Sequence, residues 1–507
     1  MKNEKIKDLD ELAGILEDKR SGGKKIVHCH GVFDLLHIGH IRYFKQASQM
    51  GDVLIVTVTP DRYVDKGPDR PAFTETLRAE AVASMNCVDF VAVNKWATAD
   101  ETLRLLKPNI YVKGSEFENA AADITGKMAH EESVAKELGV KLAYTKDVVF
   151  SSSNLINKYL SNLPKEIDEY LRLFRKRYRL DELLNILNKM KSLNVLVIGD
   201  TILDEYQYCE AIGKSSKDPA LALKYQSHEL FAGGVLAVAN HVANFANSVQ
   251  LVTILGEQDD REGFVNSQLH TNVTPQYYFQ PGAPTIVKRR FIDGYFFNKF
   301  FEVYEMDDSG MPPDKEDKIC KWLIQVLSEF DLVIAADYGH GAISHRMRKI
   351  LCENSRFLAV NTQANAENRG LHTLSIYPDA DYASLAEHEF RMEIRNSNGN
   401  LSQGMKLLSN KMNTKKLVVT LGRKGCAVCD RTGGFVKVPA FAQNVVDRVG
   451  AGDAFLAVTS LAAVQDVTNE LLGFVGNIIG ALAVEIIGNK KAIDKLSVEK
   501  YITSLMK

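Results

Sequence analysis

Continuous apolar runs alternate with helical patterns along most of the chain. From residue 25 the sequence reads KKIVHCHGVFD, an apolar run that ends in a turn. IGHIRYFKQASQM follows with helical spacing, and DVLIVTV is a second apolar run. Alternation of this kind is typical of a parallel β-sheet with helices on both faces. The pattern predicts an α/β fold.

The alternation is interrupted after KYLSNLP. The stretch PKEIDEYLRLFRKRYRLDELLNILNKMK is charged, helical in pattern and free of glycine, which indicates a helical linker. A new apolar strand, NVLVIGD, then begins, and the alternation continues to the last residue. The sequence therefore predicts a first domain over residues 1–162, a helical linker over residues 163–192 and a second domain over residues 193–507.

Composition narrows the class of protein. The chain has 507 residues, of which 45% are hydrophobic and 25% charged, and a net charge of -2 gives no basic surface for nucleic acid. We find no signal peptide and no segment with the apolar length to cross a bilayer, so we expect a cytoplasmic protein. The seven cysteines are scattered, and we expect reduced thiols. Cys426 and Cys429 lie in a strand-like run, where residues three apart point to opposite faces, which favours core cysteines.

The segment GVFDLLHIGH, residues 31–40, follows a predicted strand and opens a predicted helix. Backbone N–H groups and the positive end of the helix face an anion in that setting, and His37 and His40 lie near the same end. Two imidazoles there can bind the phosphates of a nucleoside triphosphate and stabilise charge as pyrophosphate leaves. The alternatives are metal ligands or ordinary histidines at a helix start. The spacing G-x-F-D-x-x-H-x-G-H in its strand–turn–helix context favours the phosphate site.

This motif, together with KGPDRPAFTETLRAEAVASMNCVDFV, LKPNIYVKGSEF and SSSNLINKYL, resembles the cytidylyltransferase-like family over residues 6–160. Within that family the similarity is to the adenylyltransferase half of bifunctional ADP-heptose synthases. The resemblance implies a Rossmann-like nucleotidyltransferase domain in which His37 and His40 are catalytic. It implies that the nucleotide is bound by Gly31, Val32, Phe33, Lys66, Arg70, Arg78, Lys113, Gly114, Ser151, Ser152 and Ser153. His30 and KGSEF depart from the family pattern and leave the nucleobase and the acceptor open.

A second motif, VVDRVGAGDAF, spans residues 445–455. The small residues Gly450, Ala451 and Gly452 let backbone N–H groups approach a developing phosphate charge, and a helix starts directly after them. Asp453 is then placed to take a proton from an acceptor hydroxyl. VTLGRKG, VLVIGDTILDEY and FAGGVLAVANHVANFA accompany the motif. The motif itself, with its glycines and Asp453, indicates phosphoryl transfer.

These segments resemble the ribokinase-type (PfkB) carbohydrate kinases over residues 193–507, in a form similar to the kinase half of the same ADP-heptose synthases, joined in the opposite domain order. The resemblance implies a ribokinase-like α/β domain that uses ATP and Mg²⁺. It implies sugar contacts from Asp204, Gly233 and Gly234, a nucleotide contact from Gly422 and a metal ligand in Glu387.

The second domain also departs from its family. Ala237 replaces the usual amide, Ser384 the usual Asn of N-x-x-E, His340 the usual Lys of D-x-x-K-G, and Arg448 the usual Thr before the anion hole. Each loss removes a donor or ligand that a kinase would use. Two hypotheses follow.

In the first hypothesis the chain phosphorylates a heptose-like sugar phosphate and transfers a nucleotidyl group to it from ATP or CTP, as a homodimer. In the second it is a CTP-dependent cytidylyltransferase that makes a CDP-polyol or head group, and its degenerate kinase-like domain serves oligomerisation or ligand sensing.

Overall fold

The computed structural model describes residues 4–64, 70–114, 127–145, 163–307, 310–365, 368 and 370–507. The chain divides into two compact units: residues 1–164 together with residues 500–507, and residues 165–499. None of the helices in the described ranges is long and apolar enough to cross a membrane.

The smaller unit is built on a five-stranded parallel sheet in the order β3-β2-β1-β4-β5. Its strands are β1 Ile26–Gly31, β2 Val53–Val58, β3 Phe90–Val93, β4 Ile110–Lys113 and β5 Lys141–Tyr144. Its helices are α1 Leu9–Ser21, α2 Ile38–Ser48, α3 Glu75–Ala83, α4 Asp100–Leu106 and α5 Lys127–Glu137. Alternate residues of β1 pack into different cores, so that Val27 and Cys29 lie on one face of the sheet and Ile26 on the other.

The larger unit begins with two helices, α6 Lys165–Arg177 and α7 Leu180–Met190. These are the helices that the sequence analysis assigns to a linker, and the structure instead packs them into the unit. Phe174 is fully buried and stacks on Phe474 with ring centroids 4.1 Å apart. Arg177 forms an ion pair of 2.8 Å with Glu470, and Leu187 is also fully buried. The charged faces of the helices are exposed, but each carries an apolar stripe on its other side.

The rest of the larger unit is a twelve-stranded sheet system with helices on its faces. Its strands are β6 Asn194–Lys214, β7 Leu221–Gly234, β8 Ser248–Gly256, β9 Val273–Gln280, β10 Val287–Asp293, β11 Lys299–Glu305, β12 Leu332–Asp337, β13 Leu358–Thr362, β14 Tyr382–Ala386, β15 Lys416–Thr420, β16 Cys426–Asp430 and β17 Phe435–Val438. Its helices are α8 Val235–Ala243, α9 Glu262–Gln268, α10 Pro313–Val326, α11 His345–Asn354, α12 Glu387–Glu393, α13 Leu401–Lys411, α14 Ala451–Ala463 and α15 Asn469–Ala483; the last helix of the chain is α16 Lys495–Met506.

The long strand β6 takes part in two pairings, and this places the site. Its first half pairs in parallel with β8 and β12 in the main sheet. Its second half pairs antiparallel with β7 and parallel with β10, and β10 pairs with β11. The second half of β6 thus extends beyond the carboxyl edge of the parallel sheet, where it forms a smaller sheet with β7, β10 and β11. Carboxyl edges of parallel strands are where α/β proteins bind their ligands.

Candidate functional sites

In the smaller unit the turn between β1 and α2 carries the first candidate site. It begins at Gly31 and Val32, at the end of β1. Phe33 has a φ of 50° and packs its buried ring on Phe44, with centroids 4.9 Å apart. A positive φ is uncommon outside glycine, and here the aromatic contact holds it in place. The turn therefore delivers the chain to the N-terminus of α2 in a fixed conformation.

His37 and His40 lie together at that helix start. His37 is the N-cap of α2, and its Nδ1 accepts a hydrogen bond from the backbone N–H of Gly39 at 3.1 Å. The two imidazole rings stack with centroids 4.0 Å apart, and the edge of His40 meets the ring of Phe33. Burial lowers the pKa of His37 below its ordinary value, so this ring is neutral at neutral pH. The structure thus brings together both predicted histidines at the positive end of a helix.

Arg78 supports the same turn from α3. Its side chain is 1% exposed, and it donates to the carbonyl of Val32, to the carbonyl of Thr59 at 2.8 Å and to the carbonyl of Phe73 at 2.9 Å. It also forms an ion pair of 2.5 Å with Asp61. Four of its five N–H groups are therefore used on protein oxygens. In the described structure Arg78 joins β1, β2 and α3, and its predicted contact with phosphate stays a prediction.

A buried polar cluster lies around β1, on which His28 and His30 are placed. The Nε2 of His28 and the Nδ1 of His30 both contact Oγ1 of Thr57, at 2.7 and 2.9 Å. Lys113 pairs with Glu131 at 2.7 Å. Burial would raise the pKa of Glu131, but the charges of Lys113 and His30, together with hydrogen bonds from Lys113 and from the N–H of Ala99, outweigh it and bring that pKa to about 2. Lys113 is therefore held in a buried ion pair, and Gly114 follows it directly.

Other predicted residues of this site are placed only in part. Arg70 is described and lies in the segment that leads to α3. Lys66 and residues 151–153 lie outside the described residues, so their role in nucleotide binding stays a prediction.

In the larger unit the start of α14 carries the second candidate site. Gly450 is the N-cap of the helix and has a φ of 79°. A Cβ there would lie 2.0 Å from Oδ1 of Asn489, so the position excludes larger residues. Ala451 and Gly452 form the first turn, and a Cβ on Gly452 would meet no atom within 4 Å. The first turn of α14 therefore consists of small residues, which an anion site at a helix start favours.

Asp447 organises the loop before that helix. Its Oδ1 accepts from the N–H groups of Arg448 at 2.7 Å and Val449 at 3.2 Å. Its Oδ2 accepts from the hydroxyl of Tyr206 at 2.5 Å and from the N–H of Gly488 at 2.9 Å. Burial would raise its pKa, but these hydrogen bonds lower it below its ordinary value. Asp447 is thus a buried carboxylate that holds three backbone N–H groups.

Asp453 lies in the first turn of α14. Its Oδ1 accepts a hydrogen bond of 2.7 Å from the hydroxyl of Tyr338, which follows β12. Burial raises the pKa of Asp453 to about 7, the hydrogen bond from Tyr338 opposes the rise, and the charges of Asp204 and Glu389 add to it. A carboxyl group with a pKa near neutrality is suited to take up a proton.

Asp204 comes from the second half of β6. It is buried and forms an ion pair with Arg290 of β10, which also pairs with Glu302 at 3.0 Å. A Cβ on Gly233 of β7 would lie 2.2 Å from Oδ2 of Asp204, so only glycine permits this approach. Gly234 follows at the end of β7 and caps α8. The predicted sugar-binding residues Asp204, Gly233 and Gly234 therefore lie together.

Lys288, also on β10, adds a buried cation to this group. It is 5% exposed, and burial lowers its pKa while the charge of Asp204 raises it. Its ammonium group lies 5.2 Å from the ring centroid of Tyr304. Within the described ranges Lys288 forms neither a hydrogen bond nor a salt bridge. A buried ammonium group in this state favours an anionic ligand.

The predicted metal region has a different character. Glu387 is partly exposed and pairs with Arg391 at 3.1 Å. Glu389 accepts instead from the N–H groups of Ala386 at 2.7 Å and Ala364 at 3.0 Å, and its burial raises its pKa. The residues that the structure describes contain no group of three or more metal-ligating side chains. Glu387 as a ligand of Mg²⁺ stays a prediction.

Two residues that depart from the family pattern, Ser384 and His340, are buried, and the predicted nucleotide contact Gly422 lies in a turn. Ser384 is buried in β14, and its carbonyl accepts from the side chain of Asn361 at 2.6 Å. His340 is also buried, and its N–H lies 3.4 Å from Oδ2 of Asp200. Gly422 begins a short 3-10 turn after β15, with a φ of 59°. The roles predicted for Gly422 and Glu387 stay predictions.

Four residues of the second site were missed from the sequence: Tyr338, Lys288, Arg290 and Asp447. Tyr338 lies within the segment DYGHG, and Lys288 and Arg290 lie within the segment TIVKRRF. A lysine and an arginine two apart on a strand point to the same face. That spacing was the available signal for Lys288 and Arg290.

The geometry defines an α/β protein with a candidate site at one helix start in each unit. The model of the pfkB family of carbohydrate kinases matches residues 192–495, which is more than half of the chain. A cytidylyltransferase-like model matches residues 28–159. The chain belongs to the pfkB family of carbohydrate kinases. The predicted fold class and the predicted class of transferase are both confirmed.

Individual relatives match only parts of the chain. The "Bifunctional protein HldE" of Geobacter metallireducens is 43% identical over 115 residues, which are 22% of this chain and 24% of that protein. The protein of the same name from Citrifermentans bemidjiense is 38% identical over 160 residues, 31% of this chain and 32% of that protein. The matches thus span about a quarter to a third of these curated relatives.

Solved structures match the fold of the larger unit. Phosphofructokinase-2 from Escherichia coli in complex with potassium has a TM-score of 0.50 at 14% identity, over 63% of this chain and 100% of that one. The same enzyme in complex with substrates and products also has a TM-score of 0.50, at 13% identity, over 62% of this chain and 100% of that one. These similarities support the ribokinase-like fold.

Proposed function

We propose that the chain activates a sugar phosphate by two group transfers. The larger unit transfers the γ-phosphoryl group of ATP to a hydroxyl of the sugar phosphate. The smaller unit transfers a nucleotidyl group from a nucleoside triphosphate to a sugar phosphate and releases pyrophosphate. The observation that carries the proposal is Asp453, a buried carboxyl group in the first turn of α14 that accepts a hydrogen bond of 2.7 Å from Tyr338 and whose pKa burial raises.

The acceptor is inferred from the charges beside Asp453. Lys288 is a buried cation that lacks an anionic partner within the described ranges, and Arg290 lies on the same face of β10. A phosphate group on the acceptor is an anion that these two cations can bind. A heptose-like phosphate, as in the family that the sequence resembles, is our first candidate.

For the nucleotidyl transfer we propose that His37 and His40 bind the triphosphate at the start of α2. Imidazole N–H groups and free backbone N–H groups stabilise negative charge on the leaving pyrophosphate. The stacking of the two rings supports a joint role. Cytoplasmic location, a homodimer and a requirement for Mg²⁺ belong to the same proposal.

A second candidate is a CTP-dependent cytidylyltransferase with a kinase-like domain that senses ligands or supports oligomerisation. Two observations favour it: His340, Ser384 and Ala237 replace family residues, and the carboxylate of Asp204 is already in an ion pair with Arg290.

Mass spectrometry of products separates the two candidates. The chain is incubated with ATP or CTP and a panel of sugar and polyol phosphates. Our proposal predicts a sugar that gains one phosphate from ATP and a separate nucleotide-sugar product. A CDP-polyol without any phosphorylated sugar supports the second candidate. The absence of both products overturns both.

A further inference from the structure

Tyr338 is fixed in place at three points. Its backbone N–H donates to Oδ2 of Asp200 at 2.9 Å. Its carbonyl accepts from the side-chain amides of Asn365 and Asn368, each at 3.2 Å. Its side chain is 2% exposed, and its hydroxyl donates to Oδ1 of Asp453 at 2.7 Å. The hydroxyl therefore reaches Asp453 from a rigid support.

The support extends through the turn after β12. Oδ1 of Asp200 accepts from the N–H of Ala342 at 2.9 Å, so that one carboxylate holds both ends of the turn. Tyr338 forms the contact between this turn and helix α14. Its position is thus set by the turn that Asp200 of β6 holds.

We propose that Tyr338 is a positioning residue of the phosphoryl-transfer site and that Oδ2 of Asp453 is the atom that accepts the proton. The hydroxyl of Tyr338 occupies Oδ1 and thereby sets the rotation of the carboxylate, which leaves Oδ2 for the substrate. The inference rests on the proposed kinase reaction and names the proton acceptor within it.

The step balances as follows for the acceptor and ATP. The O–H bond of the acceptor hydroxyl breaks and its proton moves to Oδ2 of Asp453. The acceptor oxygen forms a bond to the γ-phosphorus, and the bond from that phosphorus to the bridging oxygen breaks, so that ADP leaves. Tyr338 keeps its own proton throughout and holds the carboxylate in its orientation.

The groups around Asp453 determine the direction in which its pKa shifts when the hydroxyl of Tyr338 is lost. Asp204 of β6 and Glu389 of α12 are negative and disfavour the ionised carboxylate, whereas Lys288 of β10 and the hydroxyl of Tyr338 favour it. Loss of the hydroxyl removes a hydrogen bond to the ionised form. The pKa of Asp453 then rises further, and the acidic limb of the rate profile moves to higher pH.

The first experiment measures kcat/KM of ADP formation against pH for the full chain and its Tyr338→Phe variant. We expect the acidic limb to move up by about one pH unit. At pH 7 the variant is then about fivefold slower, and at pH 9 its rate recovers to within about twofold of the wild type. The KM for the acceptor stays within about twofold, because Tyr338 does not contact the substrate.

A second variant is expected to shift the acidic limb of the rate profile in the opposite direction. Site-specific 3,5-difluorotyrosine at position 338 is a stronger donor, so the limb moves to lower pH. The matched control is Tyr382→Phe, since Tyr382 is fully buried and its hydroxyl contacts Thr459 of the same helix at 2.7 Å. Its loss leaves the limb in place. An unchanged limb in both variants at position 338 overturns the inference.

Failure of the proposed function is distinguishable from failure of this inference. If the wild type forms no ADP with any acceptor, the kinase proposal fails. The contact itself is then judged by a double-mutant cycle of Tyr338→Phe and Asp453→Asn on the urea midpoint of unfolding. A coupling that is larger at pH 9 than at pH 5 supports the contact. Zero coupling at both values overturns it. If Tyr338→Phe does not fold, the difluorotyrosine chain decides the question.

Discussion

The two helix starts that we propose as anion sites are held by residues of opposite charge. In the smaller unit Arg78 donates to the carbonyls of Val32 and Thr59 beside the turn that leads to α2. In the larger unit Asp447 accepts from the backbone N–H groups of Arg448 and Gly488 before α14. A cation that binds carbonyls leaves backbone N–H groups for a ligand, whereas an anion consumes some of them. In our proposal the smaller unit adds the imidazole groups of His37 and His40 to the backbone donors for phosphate. The larger unit uses the backbone N–H groups in the first turn of α14.

The comparison also shows how a charged residue near a phosphate motif can mislead. Arg78 has the position of a phosphate ligand in the sequence, yet most of its N–H groups bind protein oxygens in the fold. Asp447 lies in the kinase motif and drew no attention, yet it orders the loop. Both are buried groups whose hydrogen bonds compensate the cost of burial. The predictions below test this contrast, from the largest expected effect to the smallest.

Asp453→Asn breaks the second site at its reacting group. An amide cannot accept the proton of the acceptor hydroxyl, so ADP formation should fall by about 10²–10⁴-fold while pyrophosphate release is unchanged. Because Asp453 acts in its ionised form, the wild-type rate should fall below about pH 7. The control is Asp466→Asn, whose side chain is 98% exposed in the same unit. Full kinase turnover in Asp453→Asn would show that another group is the base.

His37→Ala and His40→Ala test the first site in the same way. Loss of a charge-stabilising donor should lower pyrophosphate release by about 10²–10³-fold and leave ADP formation unchanged. His130→Ala is the matched control, because the His130 side chain is 72% exposed in the same unit. Near wild-type release in both variants would contradict the role given to the helix start.

The ionisation of Asp453 should also appear in stability. Its folded pKa of about 7 lies above its ordinary value of 3.8, so ionisation costs stability as the pH rises from about 4 to about 7. Asp453→Asn removes that cost, and the larger unit should gain up to about 4 kcal/mol at pH 8 and nothing at pH 4. Urea unfolding at both pH values measures this. An equal gain at pH 4 would contradict the raised pKa.

Asp447→Asn tests the anionic support. An amide presents an NH₂ group to backbone N–H groups that need an acceptor, so we expect a loss of about 2–3 kcal/mol in the larger unit and a slower kinase. Urea unfolding and ADP formation are the measurements. The exposed Asp466→Asn again serves as control. A variant that keeps both values would show that the loop does not depend on the carboxylate.

Arg78→Lys tests the cationic support. A lysine cannot reach carbonyls on three segments, and we expect a loss of about 1–3 kcal/mol in the smaller unit. The control Arg104→Lys alters an exposed ion pair with Glu137 and should change stability by less than about 0.5 kcal/mol. A raised KM for the nucleotide with unchanged stability would instead favour the phosphate contact that the sequence predicts.

The sequence predicted the features of the structure that depend on residues close to each other along the chain. The fold class follows from alternating patterns, and both helix starts follow from motifs of about ten residues whose geometry is local. The supports could not be predicted in this way, because Arg78 is 46 residues from Val32 and Tyr338 is 115 residues from Asp453. Such contacts depend on which strands become neighbours in the sheet.

The supposed linker shows a different reason for error. Its composition is charged, but Ile167, Leu171 and Phe174 recur at the spacing of one helical face, and all three are buried. The periodicity, rather than the charge content, carried the information. The boundary between the units therefore lies near residue 164, before these helices.

The central claim is that one chain holds two separate transfer sites, and a single set of samples tests it. ADP formation and pyrophosphate release are measured on the wild type, His37→Ala and Asp453→Asn, each with the nucleotide and the purified acceptor that the product screen identifies for that reaction. The account predicts that His37→Ala loses only pyrophosphate release and Asp453→Asn loses only ADP formation. A wild type that forms no sugar-dependent ADP, or one substitution that removes both activities, would contradict it.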